Sequence, residues 1–310
     1  MCIRDSYITP PIQNYVDGPS GFAFNPGTAL SPRFKGCFFV TQFPSGKINA
    51  FKVEENGASY KMVDDQRIAT GTAYVGCNFG PDGALYVADW QGGYPLKEKG
   101  AVWKLDDPKE AGSAMRKEVA GFIKSGPSKV PDTDLAKRLG HADQRVRLDA
   151  QWELASRKKW DLLTTIAKNN AAPQLARIHA LWGLSQGKEF DEALFTVLAT
   201  DKDAEIRAQT VKWVGECGKP ADLAKLLTDS NMRVRFHAAM AVGKNGDKTQ
   251  LPGVVTMLER EGGRDACIRH AGAFALSRTA SISFVEKMGG SLMPWVRKVA
   301  IVAMRDKLQN

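Results

Sequence analysis

AEIRAQTVKWV at residues 204–214 and MRVRFHAAMAV at residues 232–242 carry one pattern twice. Four further segments align with them: QRVRLDAQWEL from Gln144, QLARIHALWGL from Gln174, ACIRHAGAFAL from Ala266 and PWVRKVAIVAM from Pro294. One arginine in each fixes the register, namely Arg147, Arg177, Arg207, Arg235, Arg269 and Arg297, at spacings of 30, 30, 28, 34 and 28 residues. Apolar residues at i, i+3, i+4 and i+7 make each segment an amphipathic helix, and a repeat of this length signals stacked supersecondary units. A small residue or Thr follows each arginine by three places (Ala150, Ala180, Thr210, Ala238, Gly272, Ala300), as close helix packing requires. Asp143, Asp203, Asn231 and Asp265 stand four places before their arginines, where they can cap a helix start. The arginine column is therefore expected to serve stability.

Between these segments, residues 134–139, 160–167, 191–199, 221–227, 251–259 and 283–288 read as partner helices. A helical hairpin cannot bury its apolar face alone, so residues 132–310 are expected to form one stack with a continuous core. The units resemble HEAT repeats, although they are shorter than the ~40–47 residues of ordinary ones.

Upstream the period changes. Residues 21–25, 37–43, 48–53, 60–63, 74–79, 84–88 and 101–105 are short runs rich in Phe, Val, Tyr and Ala, separated by turn formers such as Asn25-Pro26-Gly27, Glu55-Asn56-Gly57 and Gly80-Pro81-Asp82-Gly83. They predict seven strands in antiparallel meanders, as in a sandwich or a propeller. The unit CNFGPDGALYVADW at 77–90, followed by the strand GAVWKL at 100–105, favours the inner part of a propeller blade. The fold class expected is α+β and multidomain: about two blades of a propeller over residues 7–108, a linker with a short helix over 109–131, and HEAT-like repeats over 132–310. Residues 1–6 (MCIRDS) fit neither a signal peptide nor a strand or helix and are read as a non-native leader. Two blades do not close a propeller, so the β part reads as incomplete.

Composition narrows the function classes. At 43% hydrophobic and 25% charged, the 310 residues suit a globular protein, and no stretch approaches the ~18–20 apolar residues of a membrane helix. The net charge of +9 lies wholly in residues 121–310, with 30 Lys and Arg against 21 Asp and Glu, because residues 1–120 balance at 13 each. Such a modest excess fits a solvated surface better than a nucleic-acid groove. Cys2, Cys37, Cys77, Cys217 and Cys267 show no CxxC or CxxCH spacing and are expected to be isolated buried thiols. Neither a metal site nor a cofactor site is expected in this chain.

Candidate site residues come from loops and ladders. All four histidines lie in the repeats, so a Ser/His/Asp triad within the β part is excluded, and no GxSxG is present. His179 and His237 share the place two after the aligned arginine, a row expected to be solvated. Trp152, Trp182 and Trp213 are expected in core or inter-repeat packing. The loop of residues 89–99 lies at the end of its hairpin opposite the PDG turn, where propeller ligands dock, and nominates Asp89, Trp90, Tyr94 and Lys97. Catalytic and cofactor-binding residues are not identified.

The order of the two halves carries a resemblance. PPI at 10–12, GPSG at 18–21, PGTAL at 26–30, FFV at 38–40, GASY at 57–60, FGPDGALYVADW at 79–90, LGHADQRVRLDAQ at 139–151 and RIHALWGL at 177–184 together resemble the PVC-type haem-binding CxxCH proteins. That family joins a glucose-dehydrogenase-like propeller to HEAT-like repeats and a C-terminal cytochrome c domain. The resemblance implies a fragment of an extracytoplasmic, periplasmic dehydrogenase-like protein that oxidises a sugar or alcohol. Haem c would sit on the absent C-terminal domain and a quinone or calcium site in the complete propeller, with the repeats docking the two. The partners implied are the missing blades, the cytochrome c domain and a protein on the HEAT-like surface. The alternatives are a non-catalytic propeller and HEAT binding scaffold and, less favoured, a HEAT-like DNA-binding protein.

Overall fold

The computed structural model describes residues 9–14, 17–93, 95 and 97–309, among which seven strands precede twelve helices. The chain divides into two compact units, one gathering Ile12–Glu54 and Tyr60–Glu153, the other holding Leu154–Asn310 with Glu55–Ser59.

In the first unit, β1 (Gly18–Phe24), β2 (Phe38–Phe43), β3 (Lys47–Asn56) and β4 (Ser59–Thr70) form a sheet in that order, while β5 (Tyr74–Phe79), β6 (Leu85–Gln91) and β7 (Lys99–Leu105) form a second antiparallel meander. Every expected strand is present. β4 runs to 12 residues rather than four, because its exposed Asp64, Asp65, Gln66 and Arg67 interrupt the apolar alternation without interrupting the strand. The sheets pack face to face over Ala23, Phe39, Ile48, Ala50, Tyr74, Leu85 and Val87, where full burial of each large side chain contributes ~1.5–3 kcal/mol. Closest approach falls on two glycines: a Cβ on Gly21 would stand 2.6 Å from Gly76 Cα. The expected turn is real, Gly83 N–H donating to the Gly80 carbonyl at 3.0 Å with Gly83 at φ +80°.

Three helices complete this unit. These are α1 (Ala114–Ser125), α2 (Asp132–Arg138) and most of α3 (Gln144–Ser156). Val119 and Phe122 of α1 and Val146 of α3 share a small core. Asp143, wholly buried, accepts from the backbone N–H and the guanidinium of Arg145 and from the Thr28 hydroxyl.

The second unit is helical: α4 (Trp160–Lys168), α5 (Gln174–Gly187), α6 (Glu192–Leu198), α7 (Ala204–Cys217), α8 (Met232–Asn245), α9 (Leu251–Glu261), α10 (Ala266–Thr279), α11 (Ile282–Gly289) and α12 (Pro294–Gln309). The helices bearing the aligned arginines stack in the order α5, α7, α8, α10, α12. The small residues three places after each arginine are buried, and a Cβ on Gly272 would stand 2.6 Å from Leu258 Cδ2. Asp203, Asn231 and Asp265 cap α7, α8 and α10 as expected, their side chains accepting from first-turn N–H groups. The partner helix expected over 221–227 is absent. Lys219, ahead of Pro220, opens a run without regular structure to Leu223, after which a turn leads into a single 3-10 turn at Leu226–Thr228, and Leu223, Leu226 and Leu227 still fill the core.

The arginine column ties repeat to repeat. Arg177 reaches Asp201 at 2.5 Å, Arg207 clamps both oxygens of Asp229 at 2.8 Å, and Arg235 lies 3.6 Å from Glu261. Arg147, Arg177, Arg207, Arg269 and Arg297 also donate to backbone carbonyls within their own repeats.

Candidate functional site

β6 presents Leu85, Val87 and Asp89 on the face turned into the first unit's core, since alternate residues of a strand share a face. That placement takes Asp89 out of solvent, to 4% exposure. Its carboxylate accepts from Ala73 N–H at 2.8 Å, Trp103 Nε1 at 2.9 Å and Gln91 Nε2 at 3.4 Å. Burial alone would raise its pKa, but these donors outweigh it and hold the group below the usual carboxylate range. Asp89 is thus the tie between the ends of β5, β6 and β7. Trp90, on the opposite face, packs its ring on Phe43 at 5.6 Å while its backbone N–H donates to the Ala73 carbonyl. Lys97 is exposed and runs its aliphatic stem along Gly92. Tyr94 lies outside the described residues. Asp89 and Trp90 border a shallow groove of about 390 Å³ with Val75, Ala88 and residues 99–102.

Trp103, the partner of Asp89, is a residue that the sequence reading missed. Its signal was register: in the β6/β7 ladder Val87 faces Trp103 and Asp89 faces Ala101, which sets the indole beside the carboxylate. Replacing Asp89 by Ala removes the charged acceptor of two part-buried donors, Ala73 N–H and Trp103 Nε1, so we expect a stability loss on the order of 1–3 kcal/mol in urea titrations. An Asp89→Ala protein with unaltered stability would free this carboxylate for a binding role.

The second candidate surface crosses α5, α7 and α8. Trp182 Nε1 donates to Gln209 Oε1 at 2.9 Å, Gln209 Nε2 donates to Glu205 Oε1 at 2.7 Å, and Arg233 grips both Glu205 oxygens at 3.0 and 3.1 Å. Lys212 Nζ sits 5.6 Å from the Trp182 ring centroid, in cation–π range. The row expected to be solvated is instead largely sealed. His179 is 2% exposed with its ring edge against Trp182, and His237, pushed down to about 4 by burial and then by the Arg233 charge, is neutral near pH 7. Burial would raise the Glu205 pKa, but the bonds from Arg233 and Gln209 lower it. Of the three tryptophans expected in packing, Trp213 is sealed, donating to the Glu189 carbonyl, and Trp182 is half-buried, whereas Trp152 is half-exposed. The arrangement sets an indole face, a lysine and a fixed Glu–Arg pair side by side across three helices.

Among the described residues, no group of three or more His, Cys, Asp or Glu could hold a metal ion, and no helix is long and apolar enough to cross a membrane. The Cys77 and Cys217 thiols are pushed up to about 11 by burial, which makes them poor nucleophiles.

None of the curated proteins matches the chain. Among solved structures it is similar to an engineered protein from the Northeast Structural Genomics Consortium, at 15% identity and a TM-score of 0.37, covering 57% of this chain and 96% of that one. It is also similar to a designed armadillo repeat protein, at 14% identity and a TM-score of 0.32, covering 57% of this chain and 100% of that one. The family model of HEAT repeats matches residues 192–277, from the start of α6 into α10, and the helical region carries HEAT-like repeats.

Proposed function

We propose that the chain is a non-catalytic binding scaffold whose HEAT repeats hold a protein partner. The observation that carries this reading is the engagement of Asp89: the carboxylate best placed for chemistry is buried and bonded through both oxygens to its own sheet. The row running from Trp182 to Arg233 then supplies the binding surface, because an indole under a lysine is a ready platform for a peptide. A photo-cross-linking benzoylphenylalanine at position 182 is expected to give one discrete protein adduct in an extract, and Lys212→Glu is expected to remove it. Sugars and alcohols offered with a quinone, calcium and a redox dye are expected to give no turnover. Turnover that Asp89→Asn abolishes would overturn the scaffold reading.

We further infer that the two face-to-face meanders are adjoining blades of a propeller, a reading supported by the tight PDG turn and by the family resemblance. The resemblance also supports an extracytoplasmic location. The 310 residues contain no CxxCH to which haem c could attach.

A further inference from the structure

The core between the two sheets stays open at one corner. Leu30 and Phe34, from the segment after β1, are buried in it, while Ile68 of β4 and Leu105 of β7 pack against it and remain partly exposed. These four form the apolar wall of a cavity of about 560 Å³, a volume in the range of small-molecule sites. Leu30 stands there at φ +53°, in the left-handed region that a residue with a Cβ disfavours. Its N–H donates to the Gly83 carbonyl at 3.0 Å and its carbonyl accepts from Arg116 at 2.9 Å, so both backbone groups hold it in that conformation. Backbone strain of this kind collects at ligand sites.

Charged side chains complete the lining, and two of them are already neutralised. Lys104 pairs with Asp82 and Asp106 pairs with Arg116, each at 2.7 Å. Arg33 and Asp107 keep their charges for a ligand. The Arg33 guanidinium lies 4.4 Å from the Phe34 ring centroid, in cation–π contact, and among the described residues it meets no carboxylate. Asp107 accepts the Lys109 backbone N–H on Oδ1 at 3.0 Å, which leaves Oδ2 available.

We propose that this cavity binds a small apolar zwitterion of the amino-acid and short-peptide class. Its carboxylate pairs with Arg33, whose planar guanidinium offers two parallel hydrogen bonds, its ammonium pairs with Asp107, and its side chains lie on the apolar wall. Phosphorylated ligands and dicarboxylates are disfavoured, because Asp106 and Asp107 would meet their second negative charge. A neutral hydrocarbon would leave both free charges unmatched. The site belongs to the first unit and does not rest on the scaffold reading of the repeats.

The test is a titration of the methyl-labelled full chain with leucyl-leucine, followed by nuclear magnetic resonance. Saturable shifts are expected at the Leu30, Ile68 and Leu105 methyls. Arg33→Met, acetylation of the dipeptide's amine and amidation of its carboxylate are each expected to weaken binding about tenfold, the effect of losing one charge-assisted hydrogen bond. The two modified dipeptides leave the protein untouched, so they decide the matter where a variant folds poorly. Absence of saturable shifts at these methyls would overturn the proposal, as would binding undiminished by Arg33→Met or by amidation. Binding undiminished by acetylation alone would also overturn it, giving the cavity to simple carboxylates.

Discussion

Arg177→Ala is expected to lower the stability of the helical unit by on the order of 3–5 kcal/mol, because it removes one partner of a buried ion pair and leaves the other. The side chains of Arg177 and Asp201 are each 4% exposed, and their bond of 2.5 Å joins one repeat to the next. Arg177 Nε also holds the Ala167 carbonyl at the end of α4, at 2.9 Å. The loss is therefore twofold: a charge is stranded and a helix end is released. Burial raises the Asp201 pKa, but Arg177 and the Asp203 N–H lower it further, and the net position is below its ordinary 3.8. A carboxylate whose folded pKa is depressed stabilises the fold above its unfolded value and loses that contribution as pH falls through the folded one. Acid titration of the parent should thus lose stability below about pH 3.8, and Arg177→Ala should flatten that limb. Urea midpoints followed by far-ultraviolet circular dichroism at pH 7 and pH 3 read both effects. A change under 1 kcal/mol at pH 7 would mean that the pair is solvated and the column does not hold the stack.

The aligned arginines were legible in the sequence, as were the caps at Asp203, Asn231 and Asp265, because each stands at a fixed distance from its own helix. Their acidic partners were not. Asp201 and Asp229 each lie six places before the next aligned arginine, a regularity visible only once the bond is known to run between repeats. The strands were found for the same local reason, since turn residues bracket each one. What local pattern could not give was the use of Asp89. A carboxylate at a strand end beside a long loop reads as a site until pairing sets Trp103 and the Ala73 N–H against it. The expected helix at 221–227 failed in the opposite way: its leucines do fill the core, but from an irregular run and a single 3-10 turn. Apolar spacing reported which residues are buried there and not the backbone that buries them.

Arg116→Met is expected to destabilise the first unit by on the order of 3–5 kcal/mol, although the sequence offers no sign that Arg116 matters. It projects from α1, in a stretch read as linker, and is 3% exposed. Its guanidinium donates to the Leu30 carbonyl at 2.9 Å, the Thr28 carbonyl at 3.3 Å, the Asp82 carbonyl at 3.4 Å and the Asp106 carboxylate at 2.7 Å. One side chain thus joins the segment after β1, the turn between β5 and β6, and the residue after β7, so it holds the two sheets at their shared edge. Space is committed to it as well, since a Cβ on Gly83 would stand 2.8 Å from Arg116 Nε. Methionine keeps the packing volume and removes every donor. Lysine keeps the charge but cannot reach four acceptors from one point, so Arg116→Lys is expected to recover little. Pairing Arg116→Met with Asp106→Leu separates the causes. If stranded charge dominates, the double variant regains stability over the single one, whereas if the carbonyl bonds dominate it does not. Near-ultraviolet circular dichroism from Trp90 and Trp103 in urea follows this unit, and a midpoint equal to that of the parent chain would show that α1 is a linker after all.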